Sequence, residues 1–190
     1  MTYDDIRKKL EKSLPKKRYI HTLGCADTAR ELALLTGEDP ERAYLAGLLH
    51  DCAKGMSHEE QLAYGRKYGY EPDETTLLAL QILHAPVSAV MAQREYGITD
   101  MGILDAVRYH TTGRVGMSVL ERIIFVADLI EPNRDYDGVD KLRKLVREDF
   151  AAGTVKAFDS SIGFVLEKGE LVHPDSVLAR NDLIRERMKK

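Results

Sequence analysis

An all-α fold is what this sequence predicts, and three observations carry the expectation. Apolar positions recur at helical spacing through most of the chain, as Leu120, Ile123, Ile124 and Ala127 do along one stripe. Helix-starting signatures precede those segments: Asp39-Pro40-Glu41 supplies an N-cap, a first-position proline and a first-turn acid, while Ser57 with Glu60 and Ser118 with Glu121 form capping boxes. No stretch alternates apolar and polar residues long enough to read as a strand.

In chain order, helices are expected near 3–13 and 16–36, the second closed by Gly37. Asp39 opens one over 40–52, and the Ser57 box opens another over 58–68 that stops at Gly69. Asp73 caps 74–83, a helix near 86–96 ends at Gly97, and Thr99 caps 100–111. The Ser118 box starts 119–130, and helices near 140–150, 154–168 (closed by Gly169) and 175–188 complete the chain. Connections are short, with no internal repeat and no low-complexity linker. Residues 1–190 are therefore read as one domain, with its core over about 16–183.

Composition narrows the class. Of 190 residues, 44% are hydrophobic and 31% charged, as in a globular chain that builds a core without staples. No apolar run approaches the ~20 residues a bilayer demands, so no membrane partner is expected. The opening MTYDDIRKKLEK has no apolar stretch of the export type. A net charge of −3 argues against nucleic acid as a partner, and short runs such as Lys16-Lys17-Arg18 make no strong basic patch. Two cysteines, Cys25 and Cys52, make no disulfide framework and fit a cytoplasmic setting.

The histidines are informative by placement. His50-Asp51 closes the apolar run Ala46-Gly47-Leu48-Leu49, His84 follows Leu83, and His110 ends Ala106-Val107-Arg108-Tyr109. Asp128 sits inside Ile123-Ile124-Phe125-Val126-Ala127, where an ionised carboxylate is costly unless paired or ligating. Any one of these alone reads as a capped or hydrogen-bonded core residue. As a set in apolar settings, joined by His21 beside Gly24, they point to a divalent transition metal held from several helices. Successive helical residues point about 100° apart, so His50 and Asp51 can flank one ion and the carboxylate can bridge two. His58, in a polar segment after Ser57, is expected at the surface.

The order His21, His50-Asp51, Asp128 resembles that of the HD-domain metal-dependent phosphohydrolases. The segments His21-Thr22-Leu23-Gly24, Leu48-Leu49-His50-Asp51-Cys52-Ala53-Lys54, Leu83-His84-Ala85-Pro86, Arg108-Tyr109-His110-Thr111-Thr112-Gly113-Arg114 and Ala127-Asp128-Leu129-Ile130-Glu131-Pro132-Asn133-Arg134 resemble the YqeK-type branch. So does the late stretch with His173-Pro174 and Ala179-Arg180-Asn181; Cys52 and Cys25 are small departures that remove no ligand. The resemblance implies a helical HD bundle that hydrolyses diadenosine tetraphosphate symmetrically to two ADP. It implies one metal on His21, His50, Asp51 and Asp128, and a second completed by His84 and His110 with Asp51 bridging. Iron and a homodimer are also implied, although this donor set equally suits manganese, cobalt, nickel or zinc. In this reading Asp51, His84 and His110 are catalytic.

Phosphate chemistry then asks for cations. Metals neutralise phosphate oxygens and acidify bound water to a pKa of about 7. Arg18 lies three residues before His21 and shares its helix face, Lys54 follows the His50-Asp51 pair, and Arg134 stands in the turn after Asp128. Thr111, Thr112 and Arg114 can cup a phosphate where a helix ends, and His21 and His173 are further substrate contacts, His173 with helix capping as its other role. Lys16 and Lys17 are read as solvated. The other readings are a different HD-type nucleotide phosphohydrolase or phosphodiesterase, and a metal- or nucleotide-binding module without turnover.

Overall fold

A computed structural model describes residues 1–189. Eleven α-helices and one 3₁₀ turn make up the regular structure among them, and no strand occurs. Helices α1 (Tyr3–Ser13), α2 (Lys16–Thr36), α3 (Pro40–Leu49) and α4 (His58–Lys67) lead to the short α5 (Glu74–Leu78) and the 3₁₀ turn Leu80–Ile82. Then follow α6 (His84–Tyr96), α7 (Met101–Arg108), α8 (Val119–Ile130), α9 (Val139–Glu148), α10 (Phe150–Glu167) and α11 (Pro174–Met188).

Local chemistry sets most boundaries. Asp39 accepts from the amides of Glu41 and Arg42 at the start of α3, and the Ser57 and Ser118 capping boxes both form. Gly37 and Gly97 close α2 and α6 at φ 76° and 71°, a region that penalises a side chain. Several boundaries depart from expectation, among them the 74–83 helix, which stops at Leu78 ahead of the Leu80–Ile82 turn, and the 100–111 helix, which ends at Arg108. The 40–52 helix stops at Leu49, because the next turns tighten into i→i+3 bonds from Cys52 to Leu49 and from Lys54 to Asp51. Asp100, not Thr99, caps α7, since its carboxylate reaches the amides of Gly102 and Ile103. Asp149 ends α9 and caps α10 through the Ala152 amide, so α10 begins at Phe150 rather than near 154.

Helices α2, α3, α7 and α8 form the centre, where Leu32, Leu48, Leu49, Ile123 and Ile124 are buried. Phe125 and Phe158 stack at 3.9 Å and tie α8 to α10. α3 approaches α2 closely at Gly47, whose missing Cβ would lie 2.6 Å from the Ala26 Cα. A methyl there would drive α3 off α2, and with it His50 away from His21.

Candidate metal centre and substrate cavity

The last carbonyls of a helix have no partner within it. At the end of α3, His50 Nδ1–H donates to Gly47 O at 2.7 Å. After α7, His110 Nδ1–H donates to Val107 O at 2.7 Å, and after the 3₁₀ turn His84 Nδ1–H donates to Gln81 O at 2.8 Å. A carbonyl only accepts, so each contact places a proton on Nδ1 and leaves Nε2 to hold a second proton or a metal ion. His21, within α2, is fixed likewise, its Nδ1–H donating to Glu131 Oε1 at 3.0 Å. Gly24 makes room for that carboxylate, as a Cβ would sit 2.5 Å from Glu131 Oε2.

The four Nε2 atoms converge on Asp51. The His21 and His50 Nε2 atoms are 3.2 Å apart and lie 3.7 and 3.4 Å from Asp51 Oδ2. Those of His84 and His110 are 3.1 Å apart and lie 3.1 and 3.7 Å from Asp51 Oδ1. Asp128 Oδ1 closes the first group, 3.0 Å from His21 Nε2 and 3.9 Å from His50 Nε2. Bare imidazole lone pairs facing each other at such distances repel, and Asp51 Oδ1 is buried without a hydrogen-bond donor. The donors form three overlapping triads, each within 4.8 Å: His21–His50–Asp51, His50–His110–Asp128 and Asp51–His84–His110. Imidazole nitrogens and carboxylates so placed fit divalent transition-metal binding, with Asp51 common to two triads.

The electrostatics agree. Burial alone raises the Asp51 carboxyl, but the adjacent His50 and then His84 hold it well below the usual carboxylate range. Burial is likewise outweighed at Asp128, by His21 and Arg134. His110 is pushed down to about 3, by burial and then by His50 and His84. Burial opposes a charge on His50, yet Cys25 and Asp51 beside it raise it well above its ordinary value, so a proton and a metal ion compete for its Nε2.

A cavity of about 800 Å³ opens next to these ligands. His21, Glu131, Arg18, Arg134 and Lys54 are among the residues that line it. Arg18 Nη1–H donates to Asp51 Oδ2 at 2.7 Å, while Arg134 holds the Asp128 carboxylate and donates from Nε to Asp128 O at 2.7 Å. Among the described residues Lys54 forms no ion pair, and burial lowers its pKa. Leu129, Tyr136, Ser160, Ser161 and Phe164 also line the cavity.

Residues 18–133 match the HD domain, a span that contains all six of these ligand candidates. The chain belongs to the HD domain family. This HD protein is 40% identical over 178 residues to the symmetrical bis(5'-nucleosyl)-tetraphosphatase of Bacillus subtilis, covering 92% of this chain and 94% of that one. A protein of the same name from Staphylococcus aureus is 39% identical, over 76% of this chain and 74% of its own. The crystal structure of a predicted HD superfamily hydrolase involved in NAD metabolism from Clostridium acetobutylicum superposes with a TM-score of 0.94 at 42% identity, covering 98% of both chains.

Not every residue singled out in the sequence reaches the cavity of this HD domain. Arg114 is held by Glu121 at 2.6 Å and Asp105 at 3.1 Å and stacks over Tyr109, which fixes it away from the cavity lining. Thr111 and Thr112 are also off that lining, and the Thr112 hydroxyl donates to Gly113 O. His173 caps α11 by accepting from the Asp175 amide and meets Asp73 at 3.1 Å. His58 is exposed. Sequence reading missed Glu131, which lies three residues after Asp128, a spacing that gave the available signal. Lys17 is exposed, as read from the sequence, and also lines the cavity. Tyr136, after α8, and Ser160, Ser161 and Phe164, on α10, were not singled out in the sequence and lie outside the matched span.

Proposed function

We propose that this chain, as a single HD domain, hydrolyses dinucleoside tetraphosphates symmetrically, converting diadenosine tetraphosphate and water to two ADP. The observation that carries the reading is the convergence of four histidine Nε2 atoms on the two oxygens of Asp51. Its substrate class is that printed in the names of relatives about 40% identical over nearly the whole chain.

His21, His50, Asp51 and Asp128 would hold one divalent ion, and His84 and His110 a second, with Asp51 common to both. Bound metal supplies an acidified water and neutralises phosphate oxygens. The chain's own groups do the remaining work. Asp51, with one oxygen toward each histidine pair, sets the spacing of the donors. Arg18 and Arg134 can each turn remaining donors of a planar fork to phosphate oxygens while staying anchored on Asp51 and Asp128. Lys54 brings an uncommitted ammonium to the same cavity. Histidine ligands add no negative charge, which keeps the centre open to a polyanion.

Iron as the resident ion and a homodimer follow from the resemblance of the motifs. Two buried unpaired cysteines suit a reducing cytoplasm, and among the described residues no helix is long and apolar enough to cross a membrane. Anaerobic purification with elemental analysis, followed by product chromatography on the same sample, tests the reading. ADP as sole nucleotide product with stoichiometric transition metal is expected; AMP plus ATP would overturn symmetrical cleavage.

A further inference from the structure

The cavity lining holds two chemically different sets of side chains, and only one is explained by phosphate and metal. Besides Arg18, Lys54 and Arg134 it includes Leu129, Tyr136 and Phe164, with Ser160 and Ser161. Phe164 is 57% exposed, an unusual place for a phenyl ring that has a core within reach of its own helix. The Lys168 ammonium covers one face of that ring at 4.4 Å, one helical turn further along α10. Phe164 also lines the cavity. Ser160 and Ser161 precede Phe164 by four and three residues, so all three share one face of α10. The Tyr136 hydroxyl donates to Leu129 O at 3.0 Å, which fixes that ring in the cavity lining at the end of α8.

A flat ring with an apolar face and a polar edge fits such a lining: the face stacks on phenyl and the edge meets serine hydroxyls. These residues share one cavity with His21 and the cationic set, so a ligand can span both at once. About 800 Å³ lies in the range of cavities that enclose one nucleotide-sized molecule. We infer that Phe164, with Tyr136 and Ser160–Ser161 beside it, forms the nucleobase subsite, taking the purine of one nucleotide half while its phosphates reach Arg18, Lys54 and Arg134. This rests on the nucleotide reading above and makes Phe164 a specificity-determining residue for that reaction. Because Phe164 is exposed, its removal spares the core.

Calorimetric titration of the metal-loaded protein with ADP and, separately, with inorganic pyrophosphate tests the inference. Phe164→Ala should weaken ADP roughly ten- to hundredfold and leave pyrophosphate within about twofold, and Phe164→Tyr should restore ADP binding. In turnover of diadenosine tetraphosphate, the alanine variant should raise KM more than it lowers kcat. Equal ADP affinity in wild type and Phe164→Ala, or equal weakening of ADP and pyrophosphate, would overturn the subsite. Wild-type protein that binds ADP but leaves diadenosine tetraphosphate intact would reject the tetraphosphatase reading, while the ADP-to-pyrophosphate comparison would still decide the role of Phe164.

Discussion

Glu131 Oε1 accepts the Nδ1 proton of His21 at 3.0 Å, and its other oxygen accepts from the amide and side chain of Asn133. One carboxylate therefore orients a ligand imidazole and folds the turn that carries Arg134. A hydrogen-bonded partner of this kind raises the basicity of the ligating nitrogen, and its loss typically costs about 10–100-fold in metal affinity or activity. Glu131→Ala should show a loss of that size in metal titration, with helical circular dichroism unchanged. Glu131→Gln, which keeps an acceptor, should recover part of it. Wild-type metal affinity in the alanine variant would remove Glu131 from the centre.

Asp51 presents one oxygen to each histidine pair. In Asp51→Asn one of those oxygens becomes an NH₂ that donates into imidazole lone pairs and blocks them. Turnover should fall roughly a thousandfold or more, about 4 kcal/mol of barrier, and bound metal should fall with it. Elemental analysis beside a rate measurement separates this from unfolding, which circular dichroism would reveal.

Lys54 and Arg134 line one cavity but have different commitments. Arg134 grips the Asp128 carboxylate, whereas Lys54 forms no ion pair among the described residues. Lys54→Ala should therefore raise KM for the polyphosphate with metal content intact. Arg134→Ala should raise KM and also weaken metal binding severalfold, because Asp128 loses the group that orients it. The two variants are distinguished by metal titration, not by KM.

Much of the His/Asp cluster was legible because its candidate donors sit where the sequence breaks its own rules. Asp128 interrupts an apolar stripe, and His50, His84 and His110 each follow apolar residues at the end of a helical segment. The capping boxes and glycine stops gave the helices for the same local reason. What stayed hidden depends on contacts between distant segments. Glu131 pairs with a residue 110 positions earlier, so its spacing from Asp128 was the only local signal and its partner could not be read. Arg114 looked free for phosphate, yet folding brings Glu121 and Asp105 to it first. The end of α3 at Leu49 was equally unreadable, since it comes from the tight turns that aim His50 and Asp51.

Neither cysteine should react while the protein is folded. Cys25 and Cys52 are buried, and burial pushes the Cys52 thiol up to about 12. Its Sγ also donates to Ser88 O. Alkylation with iodoacetamide at pH 8 followed by mass spectrometry should find an unmodified native protein and two adducts after denaturation. Native modification of Cys25, which adjoins His50, would mean that the centre opens to solvent.

Away from the centre, Asp100 caps α7 and binds Arg42 through both carboxylate oxygens, at 2.8 and 3.0 Å. Arg42, with help from the Ile103 and Gly102 amides, lowers the Asp100 pKa below its ordinary 3.8. A carboxyl depressed by folding stabilises the native state above its unfolded pKa, and that stability drains away as pH falls through the folded value. Asp100→Asn keeps an N-cap oxygen but loses the charge. At pH 6 the variant should melt below wild type, and the gap should shrink from pH 3.8 downward as Asp100 protonates in wild type. A gap that stays constant down to the acid transition would mean that the Arg42 pair contributes nothing through charge, leaving hydrogen bonding alone to hold α3 to the start of α7.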